Sequence, residues 1–524
     1  MPAPMLAILL AALDQTIVAV SLPAISAQLN DTGLLAWVIS GYMVAMTVSM
    51  PLYGKFGDLY GRQKMMSAAF SLFTVASLAC ALAQDMPQLI LARLLQGLGA
   101  GGLIAVSQAV IGDVVPPRER GRYQGYISSM YALASIAGPV LGGLMTEYLS
   151  WRWVFWINLP LGIAGLFICY RVLTSLPVPD RETLIDYPGI LLLATGLTAL
   201  LMATTLIGKG APLSSGYLLW LAAAAITALT LFAYHEQRAR EPLLPLRLLR
   251  NRTAGLCCML NFLTNFQAIG LTLLIPLWFQ AGAGHDMSKA ALHLIPFAAG
   301  IPLGAFTCGR LTAVLGRYKP QILVGTLIMP CALVMLAFID PRSGLLAGGS
   351  LFLAGLATGM QFPTALVAAQ NAVPQADIGV MSSTISLFRS LGGAVGAAGL
   401  SALLLLWLPP MQGHAGSVEN VLQTYLAGSA GTIDPLRQTL LATFHKLFLV
   451  SAGLSLLALP APCLYLSVPC AAGPTRQIDD PSDTRSGISS TLHLKHLKES
   501  NDLSSRKDNN CHSRSNEQVS KRIL

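Results

Sequence analysis

Asp14, Arg93 and Arg389 each stand inside a long apolar run of this 524-residue chain. At the centre of a bilayer a charged side chain costs about 2.5–3.5 kcal/mol on the more lenient insertion scale, so the few found there mark functional sites. Asp14 lies about halfway along the run Met5–Ile25. Desolvation disfavours an ionised carboxylate and a nearby guanidinium favours it, so a carboxylate whose surroundings alternate takes up and releases protons. That chemistry suits a proton-coupled carrier; a fixed ion pair or helix-to-helix hydrogen bond is the alternative use of the same group. Arg93 sits little more than one turn inside the end of its run, close enough to snorkel to the interface, with Gln96 one turn on. Arg389 is about nine residues into the run Val380–Trp407, roughly 13 Å at 1.5 Å per residue. There it can meet backbone carbonyls or an anionic substrate.

Other polar and aromatic residues within apolar runs suit a ligand cavity. Gln15, Tyr42, Gln96, Tyr131, Gln361 and Phe362, together with Arg389, would give apolar walls with a few polar groups, which favours amphipathic small molecules. Catalytic chemistry is not legible. The sequence shows no nucleotide-binding loop, no paired catalytic carboxylates, no nucleophile–base set and no metal-ligand spacing; adjacent Cys257 and Cys258 read as packing. The expectation is a protein that is not an enzyme and holds no metal or organic cofactor, with the proton gradient as its energy source.

The elements that carry these residues follow from composition. The chain is 54% hydrophobic and 11% charged, against about 25% charged in typical soluble domains. Such a chain cannot cover a water-facing surface, which excludes a soluble enzyme. A membrane-crossing helix needs about 20 apolar residues, and fourteen such runs follow one another from Met5–Ile25 to Leu447–Ser467. The reading is an all-α polytopic membrane protein. The net charge of +9 is then topological and does not point to nucleic acid. Lys55, Arg62, Lys64, Arg118, Arg120, Arg122, Arg310, Arg317 and Lys319 crowd alternate loops, while Arg152, Lys209, Lys289, Arg342, Arg437 and Lys446 are scattered among the others. Both termini are therefore expected in the cytoplasm, with the protein in the plasma or inner membrane. Met1–Leu10 has no basic residue and is read as the start of a helix, not a signal peptide. Residues 471–524 are rich in Ser, Asp, Asn, Lys and Arg and are expected to be a disordered cytoplasmic tail.

One internal echo organises the chain. Gly54-Lys-Phe-Gly-Asp58-Leu-Tyr-Gly61-Arg62 links spans two and three, and Gly309-Arg-Leu-Thr-Ala313-Val-Leu-Gly316-Arg317 links spans ten and eleven. Repeated loops at equivalent places in two halves point to the repeat architecture of secondary transporters. The glycines are expected to permit a tight reversal. Asp58 is suited to accept from a helix N-terminus and Arg62 to pair with a carboxylate. Ala313 replaces the acid in the second copy, so the stronger gating latch is expected in the first half.

At this loop the chain resembles the major facilitator superfamily. Leu89–Gly99, containing Arg93 and Gln96, is similar to the fourth-helix motif of its drug:proton antiporters, and Gly138-Pro139-Val-Leu-Gly142-Gly143 to their fifth-helix antiporter motif. Leu13–Pro23 and Trp151–Pro160 resemble first- and sixth-helix motifs of the fourteen-helix, EmrB/QacA-type branch. The resemblance implies two six-helix bundles (residues 1–173 and 254–470) around an inserted two-helix hairpin (174–253). It also implies proton handling by Asp14 and Arg93, and a bend and seal at Gly138, Pro139, Gly142 and Gly143. The implied function is export of drug-like or amphipathic compounds in exchange for protons. A carrier dedicated to one metabolite, such as a self-made toxin, siderophore or vitamin, would show the same features. Implied partners are the small-molecule substrate, protons and the lipid bilayer, with a periplasmic adaptor and outer-membrane channel where the host has two membranes.

Overall fold

The computed structural model describes residues 2–29, 34–116, 119–172, 186–208, 210–211, 214–239, 242–284, 287–408 and 433–459. The expected tail, most of the segment between Pro409 and His445, and the loop charges Arg118 and Lys209 lie outside them. The described residues hold fourteen helices long and apolar enough to cross a membrane, which matches the count read from the apolar runs. Side chains on the outside of the molecule are largely apolar, as at Val75, Leu91, Ile136, Trp220, Val314 and Leu345. Such a surface is stable only against lipid.

The first bundle comprises α1 (Pro2–Leu29), α2 (Leu35–Tyr60), α3 (Arg62–Leu82), α4 (Met86–Val114), α5 (Arg120–Tyr148) and a span broken at Ile157 into α6 (Trp153–Trp156) and α7 (Asn158–Val172). The hairpin follows as α8 (Tyr187–Gly208) and α9 (Gly216–Glu236), and α10 (Leu246–Arg250) leads to the second bundle. That bundle is α11 (Arg252–Ala283), α12 (Met287–Leu292), α13 (Ile295–Leu315), α14 (Lys319–Phe338), α15 (Gly344–Asn371), α16 (Ile378–Trp407) and α17 (Ile433–Leu456). Local chemistry sets several starts. Asp85 caps α4 through Gln88 N at 2.8 Å, and Asn251 caps α11 through Thr253 N at 3.0 Å.

Lipid tails are as apolar as Leu, so the helices gain little by merely hiding apolar surface; close packing holds them together. Gly97 and Gly101 of α4 lie against the α2 carbonyls of Tyr42 and Met46, and Gly355 and Gly359 of α15 lie against those of Phe297 and Ile301 on α13. The same relation recurs where Gly138 and Gly142 of α5 cross α1 at Thr16 and Ile17, and Gly392 and Gly396 of α16 cross α11 at Phe262 and Phe266. The glycines of the antiporter-like motif in the first half and Gly392 and Gly396 in the second thus make equivalent crossings. Gly143 differs from its neighbour: no atom stands where its side chain would project. The helix α5 runs unbroken through Pro139, an exposed residue.

Two sequence expectations need correction. The first glycine of each repeated loop is not in a turn. Gly54 lies within α2, against Ser383 and Gly379 of α16, and Gly309 lies within α13, against the backbone of Gly121 on α5. Only Gly61 (φ 92°) and Gly316 (φ 63°) make the reversals, where a side chain would strain a left-handed backbone. The last span also begins earlier than Leu447–Ser467 suggested. In α17, Leu440, Phe444, Leu447 and Phe448 form one buried stripe at helical spacing. Polar neighbours such as Gln438 and Lys446 lowered the local hydropathy and hid it.

The bundles meet mainly through α2 with α16 and α5 with α13, and α8 packs on both α2 and α16. Hydrogen bonds, ring contacts and glycine approaches between the bundles run from the end rich in Arg and Lys inward to Tyr131 on α5 and Ser390 on α16. This conformer is closed at that basic end. From these contacts, Gly142→Ala, which meets the Ile17 carbonyl, is expected to cost about 1–3 kcal/mol. Gly143→Ala should stay within about 0.5 kcal/mol. Thermal unfolding of the two variants in detergent compares them directly.

Candidate functional site

Asp14 is fully buried and both its oxygens accept hydrogen bonds. Oδ2 takes Arg93 Nη1 of α4 at 2.6 Å, and Oδ1 takes Gln96 Nε2 of α4 at 2.9 Å and Asn158 Nδ2 of α7 at 2.7 Å. Arg93 is 1% exposed, so it does not snorkel. The same Nη1 also donates to Gln96 Oε1 at 2.7 Å, and Nε donates to the Val38 carbonyl of α2 at 3.1 Å. The guanidinium carbon stands 4.0 Å from the centre of the Tyr42 ring, and the Tyr42 hydroxyl donates to the Ala11 carbonyl. Gln96 Nε2 also reaches Ser77 Oγ of α3 at 2.7 Å. The network around this one carboxylate joins five helices.

The local reasons are simple. Arg93 and Gln96 are three apart, on one face of α4. The break at Ile157 turns the following Asn158 inward, where it is fully buried. Apolar clusters flank the network on both sides: Leu10, Ala11, Met46 and Phe73 toward the basic end, and Ile17, Val18, Leu89 and Phe155 toward the other. Tyr42 and Gln96 therefore belong to this network. Asn158 and Ser77 were not picked out as site residues from the sequence; the available signal was a polar side chain alone in an apolar segment.

Arg389 occupies a separate place. Its guanidinium carbon is 4.0 Å from the centre of the Phe362 ring of α15 and 5.2 Å from that of Tyr131 on α5, so the cation sits between rings from the two bundles. Its backbone carbonyl accepts from Asn265 Nδ2 at 2.8 Å. Gln361 departs from the cavity expectation. It is buried inside the second bundle, accepting from Thr264 Oγ1 and donating to the Gly325 carbonyl, both at 2.8 Å. Gln15 is half-buried.

At the basic end, Asp58 Oδ2 accepts from Val380 N at 2.8 Å, in the first turn of α16, while Oδ1 pairs with Arg62. Arg62 also reaches Asp113 Oδ2 at 2.8 Å. Gly54, Gly61 and Arg62 thus serve one latch between the bundles. In the second copy Gly309 makes the Gly121 crossing, Gly316 turns the chain and Arg317 is exposed. Further cross-bundle bonds join Arg120 to Asn371 and Gln370 Nε2 to the Gln108 carbonyl at 3.2 Å. Sequence reading had treated Arg120 only as a topogenic charge.

Breaking a buried ion pair by removing one partner leaves the other charge uncompensated, at about 3–5 kcal/mol. Arg93→Met should be destabilised on that scale, and the double variant Asp14→Asn/Arg93→Met should be more stable than Arg93→Met alone. Melting of the purified variants checks the order.

Residues 5–397 match the family model of the Major Facilitator Superfamily. The chain is 34% identical over 409 residues to an uncharacterized MFS-type transporter of Mycobacterium tuberculosis (strain ATCC 25618 / H37Rv), a match over 78% of this chain. It spans 59% of that relative's length. It is 32% identical over 400 residues to the multidrug transporter protein MdtP of Bacillus subtilis (strain 168), over 76% of this chain and 74% of that protein. The crystal structure of the human organic anion transporter MFSD10 (TETRAN) shares the fold, with a TM-score of 0.57 at 17% identity, over 87% of this chain and 98% of that one. Fourteen apolar helices, two bundles of like packing and a matching family model lead to one conclusion: the chain belongs to the major facilitator superfamily.

Proposed function

We propose that the chain is a proton-coupled exporter of drug-like or amphipathic compounds that works by alternating access across the cytoplasmic membrane. The observation that carries this reading is the Asp14 network. A proton arriving on Asp14 competes with Arg93, Gln96 and Asn158 for the same two oxygens, so protonation disturbs contacts of five helices at once. Asn158 suits both states. Its Nδ2 donates to Asp14, while its buried Oδ1 has no partner among the described residues. Rotating the amide by half a turn would offer that acceptor to a protonated carboxyl group.

The positive-inside rule makes the basic end cytoplasmic. The conformer described is then closed toward the cytoplasm by the Asp58–Val380 latch and the α5–α13 crossing. Protonation from outside would favour substrate release, and loss of the proton inside would reset the site. Rocking of the bundles about their midplane supplies the motion. The multidrug assignment of the Bacillus subtilis relative supports a drug-like substrate. Asp14→Asn should still bind substrate yet lose proton-driven accumulation in proteoliposomes, falling to the level of protein-free vesicles. Full drug resistance in an efflux-deficient host, with substrate-induced proton flux intact, would rule out Asp14 as the coupling group.

A further inference from the structure

The buried or half-buried arginines of the helices fall into two kinds. Arg62, Arg93 and Arg120 are each held by carboxylate, amide or carbonyl oxygens. Arg389 has none. Among the described residues, its guanidinium makes no hydrogen bond and no ion pair; its ring contacts are the faces of Phe362 and Tyr131. A guanidinium is a five-donor fork matched to a carboxylate, and leaving it without an anion at membrane depth is costly.

Its position adds to the argument. Arg389 and Tyr131 each lie eleven residues from the basic end of their own helix, about 16 Å by helical rise. That is the inner limit of the bonds, ring contacts and glycine approaches that close the basic end, so the trio stands where the closed part of the seam gives way to its other half. Arg389 and Phe362 belong to the second bundle and Tyr131 to the first. We propose that this trio is the binding site for the anionic group of an aromatic or amphipathic organic acid, whose carboxylate lies on Arg389 while its flat apolar body lies against Tyr131 and Phe362.

A ligand held this way bridges the bundles, as a transported substrate must. Export of an anion is also favoured by a membrane potential that is negative inside. The proposal names the substrate class of the exporter inferred above and, for its transport part, rests on that reading; the binding part does not.

The test is calorimetric titration of the full chain in lipid nanodiscs with 1-naphthylacetate, its neutral amide 1-naphthylacetamide and the cation 1-naphthylmethylammonium. The wild type should bind the carboxylate about tenfold more tightly than the amide, the difference typical of a charge-assisted hydrogen bond. Arg389→Gln should abolish that preference while leaving amide affinity within about twofold, and Arg389→Lys should retain part of it. Equal affinity of the wild type for carboxylate and amide, a preference for the cation, or an unchanged preference in Arg389→Gln would overturn the site. The wild-type comparison needs no variant, so a misfolded Arg389→Gln does not spoil the test. Proteoliposomes with an imposed proton gradient separate the two claims. A carboxylate preference without proton-driven flux leaves the site standing and removes the exporter; flux of the cation with no carboxylate preference does the reverse.

Discussion

A carboxylate and a guanidinium withdrawn from both water and lipid must be satisfied by their neighbours, and the first bundle is arranged around that demand. Asp14 and Arg93 are 0% and 1% exposed, and Arg93 donates to Asp14 on α1, to the Val38 carbonyl on α2 and to Gln96 one turn along its own helix. The Coulombic attraction of such a pair barely offsets its desolvation, so it adds little stability by itself. It acts instead on arrangement. Helices α1, α2, α3, α4 and α7 cannot shift independently without leaving a charge or a polar group unpaired in a medium that supplies no substitute.

The two bundles share a packing plan and differ in chemistry. Gly97 and Gly101 in α4 correspond to Gly355 and Gly359 in α15, and each pair lets the facing helix approach its backbone. Four residues before the first glycine stands Arg93 in one bundle and Leu351 in the other; directly before it stand Gln96 and Ala354. Leu351 and Ala354 are fully buried in the apolar core of the second bundle. Repetition supplied the scaffold, and substitution at a few sites gave one half its charge. The latch is likewise unequal, since Asp58 crosses to α16 and the second copy has Ala313.

Much of this could be read from residue order, because a bilayer permits so few solutions. Fourteen helices, the repeated loops and the expensive charges at Asp14, Arg93 and Arg389 follow from composition and spacing. What could not be read was direction. Tyr42, Gln96 and Gln361 looked alike as polar groups in apolar runs, yet the first two serve the Asp14 network and the third ties α15 to α11 and α14. Hydropathy is an average over a window and carries no information on which face a side chain occupies. The same averaging displaced α17, and a repeated Gly–Gly spacing concealed that one glycine crosses a neighbour while the other turns the chain.

The hairpin also belongs to the contact between the bundles. Two seams separate the bundles, α2 against α16 and α5 against α13. Helix α8 lies across the first, and Leu193, Leu197 and Leu201 join Val44, Val48 and Leu387 in one apolar cluster there. The α2–α16 seam is thereby bridged by a third helix, and parting it would uncover that leucine cluster as well.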